Sequence, residues 1–190
     1  MTKYAIIDCR GELMKNKGFL FKILGLLFAA ATVVFACLIK FCFKASAEGG
    51  SLKGSTTWSI FGDATKADKT QIAQFAGIEY DSTTRTFAVF LIVVLTILVI
   101  ALIALTLYGK FSSNPFESCS GTCNIISVVI ALLGFALLGT VLSYVDTNTK
   151  TILEITSGVA VANVTMLVLM VVCSVMTSVM YIVGAVNSKK

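Results

Sequence analysis

Long apolar runs alternate with shorter polar segments along the chain, and this pattern predicts the architecture. A helix that crosses a hydrocarbon core of about 30 Å needs about 20 residues at a rise of about 1.5 Å per residue. We predict such spans at residues 19–43, 86–108, 124–145 and 156–186. The last run is about 31 residues long, so we expect it to tilt or to project past the bilayer. The prediction is an all-α membrane protein, a four-transmembrane-helix bundle that forms one domain over residues 1–190.

One sizeable polar segment, residues 44–85, lies between the first two spans. Within it, residues 56–61 alternate polar and apolar side chains before Gly62-Asp63, which predicts a strand followed by a turn. Residues 69–75 predict a short helical turn, and residues 78–80 predict a second strand. We therefore expect a small extramembrane loop with β-structure between helices 1 and 2.

Trp58 is the only tryptophan of the chain and lies in this loop. The simplest interpretation is an anchor at the membrane interface or a plug in the small cap, because an indole ring joins an apolar body to one N–H group. A ligand-binding role is the alternative. Trp58 and Phe61 are the candidate recognition residues of the loop.

Composition agrees with a lipid environment and excludes several functions. Apolar residues make up 57% and charged residues 13% of the chain, with a mean hydropathy of +0.92, against about 45–50% and about 25% in ordinary globular domains. The basic residues behind the net charge of +5 are scattered, so we expect no nucleic-acid partner. The chain has no histidine, which removes the commonest metal ligand and the usual general base. We predict no metal and no cofactor.

The predicted spans also lack the buried charges that transport requires. Lys22 and Lys40 are the only charged residues in them, and both lie near the ends, where lysine stems can snorkel to the headgroups. This argues against a proton-coupled exporter and a voltage sensor, although Ser, Thr and Asn can still line a passive pore. The residues supply no nucleophile, base and orienting group together, so we predict a non-enzymatic protein.

Cys119 and Cys123 lie in the predicted connection of residues 109–123, beside the only proline of the chain. The simplest interpretation is a boundary loop between two helices. S-acylation of Cys119 or Cys123, thiols next to a span, is the main alternative. A zinc site would need two more ligands, and a redox relay would need a second exposed pair, whereas residues 44–85 contain no cysteine.

Four spans place both termini on one side of the membrane. That side holds eight basic residues, which are Lys3, Arg10, Lys15, Lys17, Lys22, Lys110, Lys189 and Lys190. The opposite side holds seven, which are Lys40, Lys44, Lys53, Lys66, Lys69, Arg85 and Lys150. Because the eight lie in shorter segments that flank the spans, the positive-inside rule predicts that both termini are cytoplasmic. A disulfide between Cys119 and Cys123 would then face the reducing cytosol and is not expected.

Small and aromatic residues at helical spacing mark the faces on which the spans are expected to pack. Small residues let helices approach closely, and polar ones add about 0.6–2 kcal/mol per interhelical hydrogen bond. The candidate packing residues are Phe21, Gly25, Phe28, Ala29, Phe35, Gly134, Gly139, Gly158, Ala162 and Asn163. Packing within one bundle is the simplest interpretation, and lateral assembly into oligomers is the alternative.

The layout resembles that of the four-span MARVEL-domain proteins, such as the physins and gyrins of vesicles and the occludin-related junction proteins. The resemblance covers the whole chain and depends on the aromatic-rich first span (19–43), the loop at 44–85, a very short second loop, and Asn163 near the start of the last helix. Claudin-like proteins also resemble this chain, with a β-rich first loop that contains a tryptophan. Their paired loop cysteines have no counterpart beside Trp58. The resemblance implies a vesicle or cell-junction protein and transfers no functional residue.

These observations lead to three functional hypotheses. The first is a tetraspan that organises or shapes membrane by lateral packing and by contacts of residues 44–85, with lipids, copies of itself or other membrane proteins as partners. The second is an oligomeric channel lined by the polar faces of spans three and four. The third is an accessory subunit of a larger membrane complex.

Overall fold

The structure is a computed structural model that describes residues 2–47, 53–62, 82–111, 116–147, 150–152 and 155–188, with side chains over 18–42, 57–62, 83–109, 120–147 and 158–188. Its four long helices are α1 (Thr2–Cys37), α2 (Ser82–Phe111), α3 (Phe116–Thr147) and α4 (Val164–Ser188). Stretches long and apolar enough to cross a membrane are Gly18–Cys37, Thr83–Gly109, Ser120–Thr147 and Val164–Ser188. The prediction of four spans in a helical membrane protein is confirmed. Runs rich in Val and Ile are helical here because a lipid-embedded backbone must satisfy its own hydrogen bonds.

Among the described residues, four strands form one antiparallel sheet outside these spans. They are β1 (Lys40–Ala47), β2 (Lys53–Ser59), β3 (Lys150–Ile152) and β4 (Ile155–Val161). The order in the sheet is β2-β1-β4-β3, so β1 pairs with β2 on one side and with β4 on the other. The segment between α1 and α2 and the segment between α3 and α4 therefore share a single hydrogen-bonded sheet.

A strand is present where one was predicted, but β2 runs from Lys53 to Ser59 and not over 56–61. Ile60 and Phe61, which were predicted in the strand, lie in the turn Ile60–Gly62 that follows it. The helical turn predicted at 69–75 and the strand predicted at 78–80 lie outside the described residues. The second extramembrane segment is longer than predicted, because β3 and β4 occupy residues that the sequence assigned to a short turn and to the fourth span. The expectation of a very short second loop was wrong.

Two predicted span boundaries need the same correction. The first span was predicted to reach residue 43, but α1 ends at Cys37 and β1 begins at Lys40. The fourth was predicted to begin at residue 156, but α4 begins at Val164 after β4. The apolar residues at these two places belong to β1 and β4, which pair with each other. Their facing backbone N–H and C=O groups are therefore hydrogen-bonded between the two strands. The expected excess length of the fourth span is thus a strand and not a tilted helix.

The chain divides into two compact units, each containing part of all four helices. The first unit comprises Met1–Val33, Leu95–Gly134 and Val171–Lys190. Its buried core consists of Ala29, Leu95, Val99, Leu102, Cys123, Ile130 and Tyr181. Because the helices there contribute small and large residues to one cluster, their apolar side chains interlock as expected of a helix bundle.

The second unit comprises Val34–Val94 and Phe135–Met170 and contains the whole sheet. Its largest fully buried side chains are Tyr144, Phe41, Ile39, Ile60, Leu137, Met170 and Val141. Two of these, Ile39 and Ile60, flank the ends of β1 and β2, and Ile60 N donates to Ile39 O at 3.0 Å. The sheet is thereby fixed to a core that it shares with the helical parts of the same unit.

Candidate functional site

The sheet cap, which we define as β1–β4 with the turn Ile60–Gly62, is the most distinctive surface that the sequence builds. Its inner side holds an aromatic cluster, in which the Phe41 ring lies 4.7 Å from Tyr144 and 6.2 Å from Trp58, measured between centroids. These tilted geometries lie within the range that aromatic pairs prefer. Tyr144 belongs to α3, so the cluster attaches the sheet to a transmembrane helix.

Asn163 joins the sheet cap to α1 and α4. It lies immediately before α4, and its carbonyl accepts a hydrogen bond from Met166 N at 2.9 Å, as a residue at a helix start does. Its side-chain Oδ1 accepts from Lys40 N at 2.8 Å, and its Nδ2 donates to Leu38 O at 2.6 Å. The side-chain amide of Asn163 therefore bonds one backbone N–H and one backbone C=O in the short connection between α1 and β1.

This role differs from the one predicted for Asn163, which was a hydrogen bond between spans. Gly158 and Ala162 also lie elsewhere than predicted. Gly158 is in β4, paired with Lys44, and Ala162 follows β4 with its N–H donating to Lys40 O at 2.8 Å. Neither residue belongs to a helix, so neither supplies a helix-packing surface. The signal that misled the prediction was small-residue spacing in a segment that pairs as a strand.

The turn at Ile60–Gly62 places the two predicted recognition residues in opposite environments. Trp58 is only 5% exposed and packs against Phe41, so its ring is part of the interior. Phe61 is 50% exposed at the tip of the turn. Gly62 N donates to Ser59 O at 2.8 Å, and Gly62 O accepts from Arg85 in α2, which fixes the turn beside a span. Of the two residues, only Phe61 presents its side chain for contact.

Within the first unit, the predicted packing residues Gly25 and Ala29 of α1 are buried, and Gly25 lies against α4. A Cβ added at Gly25 would lie 2.7 Å from Tyr181 Cδ2, which is closer than atoms approach. A Cβ at Gly184 would lie 3.0 Å from Gly18 O, so the start of the apolar stretch of α1 also meets the C-terminal part of α4. Ala29 is fully buried, whereas Phe21, Phe28 and Phe35 are half-buried. Glycine is required at position 25 because the Tyr181 ring occupies the space of a side chain.

Buried hydroxyls in the first unit bond to the helices themselves. Thr106 Oγ1 lies 2.7 Å from Tyr181 Oη and donates to Leu102 O at 2.7 Å. Ser174 and Thr177 donate to backbone carbonyls of their own helix, at 2.8 and 2.9 Å. These groups satisfy the requirement that polar atoms in lipid find partners inside the protein. Tyr181 and Thr106 were not among the predicted packing residues, although a hydroxyl inside an apolar span is a signal for such a pair.

The two predicted glycines of α3 differ in their surroundings. Gly134 is buried against α4, where an added Cβ would lie 2.8 Å from Ser174 Cβ. Gly139 is exposed, with nothing within 4 Å of an added Cβ. It lies in an open groove of about 550 Å³ in the second unit, between the start of α2 and the end of α3. The lining residues are Thr83, Thr84, Phe87, Ala136, Gly139, Thr140 and Ser143.

Lys22 is less exposed than its expected snorkelling implies, since 8% of its surface remains accessible. Its Cγ lies 3.2 Å from a Cβ added at Gly184, in the last turns of α4. The carbonyls at the end of a helix carry partial negative charge, so this place favours a lysine ammonium. Lys40, the other charged residue of the predicted spans, lies exposed at the start of β1.

The cysteine pair lies on a helix and not in a loop. α3 begins at Phe116, so positions 119 and 123 are one turn apart on it. Cys123 is 4% exposed and belongs to the core of the first unit, where an acyl chain has no access. S-acylation therefore stays a prediction for Cys119, whose side chain lies outside the described ones. Over the described residues, no group of three or more metal-binding side chains is present.

Comparison of the chain with protein-family models and with curated proteins finds no match to either. The likeness to MARVEL-domain and claudin-like proteins therefore stays one of layout, with the correction that the second extramembrane segment is not very short.

Proposed function

We propose that this protein is a non-enzymatic tetraspan that organises or shapes membrane through lateral packing and contacts of its sheet cap. The observation that carries the proposal is the pairing of β1 with both β2 and β4, which joins the two extramembrane segments into one sheet. Asn163 and the Phe41–Tyr144 contact attach this sheet to helices. A surface held in this way keeps a fixed orientation to the membrane, which recognition by shape requires.

The lipid-facing surface supports the lateral part of the proposal. Large apolar side chains are exposed along every described span, among them Leu27, Phe90, Ile97, Leu132, Phe135 and Val168. In water such a surface would be unstable, whereas in a bilayer it contacts lipid tails or neighbouring helices. We expect membrane lipids, further copies of the chain or other membrane proteins to be its partners.

The interior of the first unit favours this function over a pore. A channel lined by α3 and α4 needs their hydroxyls to face a path for water or ions. Ser127, Ser174 and Thr177 are instead fully buried and bonded to their own helices. Nothing about these three residues supports a conducting path.

Reconstitution in liposomes tests the proposal. The purified chain is incorporated at increasing protein-to-lipid ratios, and the distribution of particles and the curvature of the vesicles are imaged by cryo-electron microscopy. Ion flux is measured on the same vesicles. We expect clustering or altered curvature without flux. Dispersed particles in unaltered vesicles, or flux at every ratio, would overturn the proposal.

The predicted orientation, with both termini cytoplasmic, belongs to the same proposal. The exposed residue Thr57 of β2 is suited to testing it. A Thr57→Cys chain on intact cells is treated with a membrane-impermeant thiol reagent, with the unaltered chain as control. We expect labelling from outside for the variant alone. For chains that reach the cell surface, labelling of the variant only after permeabilisation would reverse the topology.

A further inference from the structure

We propose that the outer edge of β2 binds the same edge of a second copy of this chain, antiparallel and centred on Ser55. The inference rests on the proposed function and deepens it, since it names the surface and the partner of the sheet cap. The paired sheets would form one continuous sheet across two copies.

The hydrogen bonds at the end of β2 show which backbone groups point outward. Ile60 N donates to Ile39 O, one residue beyond the pair Lys40↔Ser59 of the β1–β2 register. Bonded pairs alternate along an antiparallel ladder, so every second residue of β2 bonds to β1. The intervening residues direct their N–H and C=O groups away from the sheet. Those residues are Lys53, Ser55 and Thr57, with Ser59 O already bonded to Gly62 N.

The β2 edge is a better template than the opposite edge of the sheet. It is seven residues long, contains no proline, and its register with β1 is continuous from Lys53 to Ser59. β3 at the other edge has three residues, and the same alternation leaves only Thr151 directed outward. No strand among the described residues pairs with the outer edge of β2. A seven-residue edge whose N–H and C=O groups point outward tends to acquire another strand.

A second copy fits this edge in one register. Pairing about Ser55 places Ser55 opposite its counterpart and Lys53 opposite Thr57, so all three outward-directed residues are used on each side. Each such pair exchanges two hydrogen bonds. Lys53 is the only charged residue of β2, and this register keeps the two copies of it apart. Like charges directly opposite each other would be destabilising. Pairing centred on Lys53 or Thr57 would leave outward-directed groups beyond the end of the strand.

Cysteine cross-linking tests the register. Ser55→Cys and Thr57→Cys chains are reconstituted separately in phosphatidylcholine vesicles and oxidised, and dimers are separated by non-reducing electrophoresis. In the proposed register the two Ser55 Cα atoms lie about 5.5 Å apart, within the about 4.4–6.8 Å range of disulfides. The two Thr57 residues are offset by four positions, about 13 Å along the strand. The unaltered chain controls for the native cysteines.

Proline substitution tests the backbone requirement with a matched pair. Ser55→Pro removes an outward-directed N–H, and Thr151→Pro removes the corresponding group at the other edge. Proline is tolerated where a strand N–H faces away from the sheet, so we expect both variants to keep the thermal unfolding midpoint of the unaltered chain. We expect Ser55→Pro to lose the dimer in mild detergent and Thr151→Pro to retain it.

The outcomes separate this inference from the proposed function. A dimer cross-linked by Ser55→Cys and lost in Ser55→Pro supports the inference. Self-association of the native chain with no Ser55→Cys cross-link, or with a cross-link at Thr57→Cys instead, overturns the inference and leaves the proposed function standing. A native chain that stays monomeric and unclustered at every density in liposomes overturns both.

Discussion

Tyr181 of α4 donates its hydroxyl proton to Thr106 Oγ1 of α2 across 2.7 Å. The direction follows from Thr106, whose single hydroxyl proton is already donated to Leu102 O at 2.7 Å. The Tyr181 ring lies against Gly25 of α1, so this one side chain touches two other helices within the first unit. The hydrogen bond of the Tyr181 hydroxyl and the packing of its ring each lead to a prediction about stability.

We expect Tyr181→Phe and Thr106→Val to destabilise the chain unequally. Tyr181→Phe removes one buried hydrogen bond, which costs about 0.6 kcal/mol and at most about 1.7 kcal/mol in membrane proteins. Thr106→Val leaves the Tyr181 hydroxyl buried without its acceptor, which costs about 1–3 kcal/mol. The free energy of unfolding in mild detergent measures both. The double variant should be no less stable than Thr106→Val, and full additivity of the two losses would contradict the pairing.

Gly25→Ala and Gly139→Ala form a matched pair of helix glycines. An added methyl at position 25 collides with the Tyr181 ring, whereas one at position 139 meets nothing within 4 Å. We expect Gly25→Ala to destabilise by about 1–3 kcal/mol, as overpacking does. Gly139→Ala should be neutral or stabilise by up to about 1 kcal/mol, since alanine loses less backbone entropy. Equal thermal unfolding midpoints for the two variants would contradict this account.

The contact between Gly134 and Ser174 predicts suppression by a second substitution. Gly134→Ala places a methyl on the Ser174 side chain and should lower the thermal unfolding midpoint. Ser174→Gly, combined with it, removes both atoms that the methyl meets and should recover part of the loss. Ser174→Ala retains the Cβ and should recover less. Equal recovery by the two second-site variants would show that the clash lies elsewhere.

Asn163→Asp tests the junction between α1 and β1. An aspartate keeps an acceptor for Lys40 N but has no N–H to donate to Leu38 O, and its charge would face that carbonyl. Asn163→Ala loses both bonds, each worth about 0.5–1.5 kcal/mol. We expect faster amide hydrogen exchange throughout β1 in both variants.

The exposed Thr165 provides a control for this junction, since Thr165→Ala changes a nearby side chain in the first turn of α4. Its β1 amides should exchange at the rate of the unaltered chain. If Asn163→Ala also left those rates unchanged, the amide would not stabilise the junction.

Trp58→Ala and Phe61→Ser separate folding from recognition. Trp58 is buried, so its truncation leaves a cavity and should cost about 3–5 kcal/mol. Phe61 is half exposed, so Phe61→Ser should change stability by less than about 0.5 kcal/mol. We expect Phe61→Ser to weaken self-association or liposome clustering at unchanged unfolding midpoint. A folded Trp58→Ala chain with normal stability would contradict the buried position of the indole.

The sequence predicted the residues of the first unit better than those of the second. Gly25 and Ala29 were expected at helix contacts, and both are buried. Small residues within an apolar run indicate positions where a neighbouring helix approaches closely. Cys123 was expected in a loop and lies in the core of the first unit. Residues 116–123 are mostly polar, so the predicted span began at 124, whereas α3 begins at Phe116. Trp58 was expected either at the membrane interface or inside the cap, and the sequence did not decide between them. Its burial depends on contact with Phe41, and Phe41 had been assigned to the first span.

Apolar length and the scarcity of charged residues were enough to determine four membrane-spanning helices, because each span satisfies its backbone hydrogen bonds within itself. The limits of the first and last spans were decided by tertiary structure. Residues 40–43 and 156–161 had been assigned to spans, and they form strands because β1 and β4 pair with each other across more than a hundred residues of sequence. Strand pairing is a relationship between distant segments, and no window of sequence contains both partners.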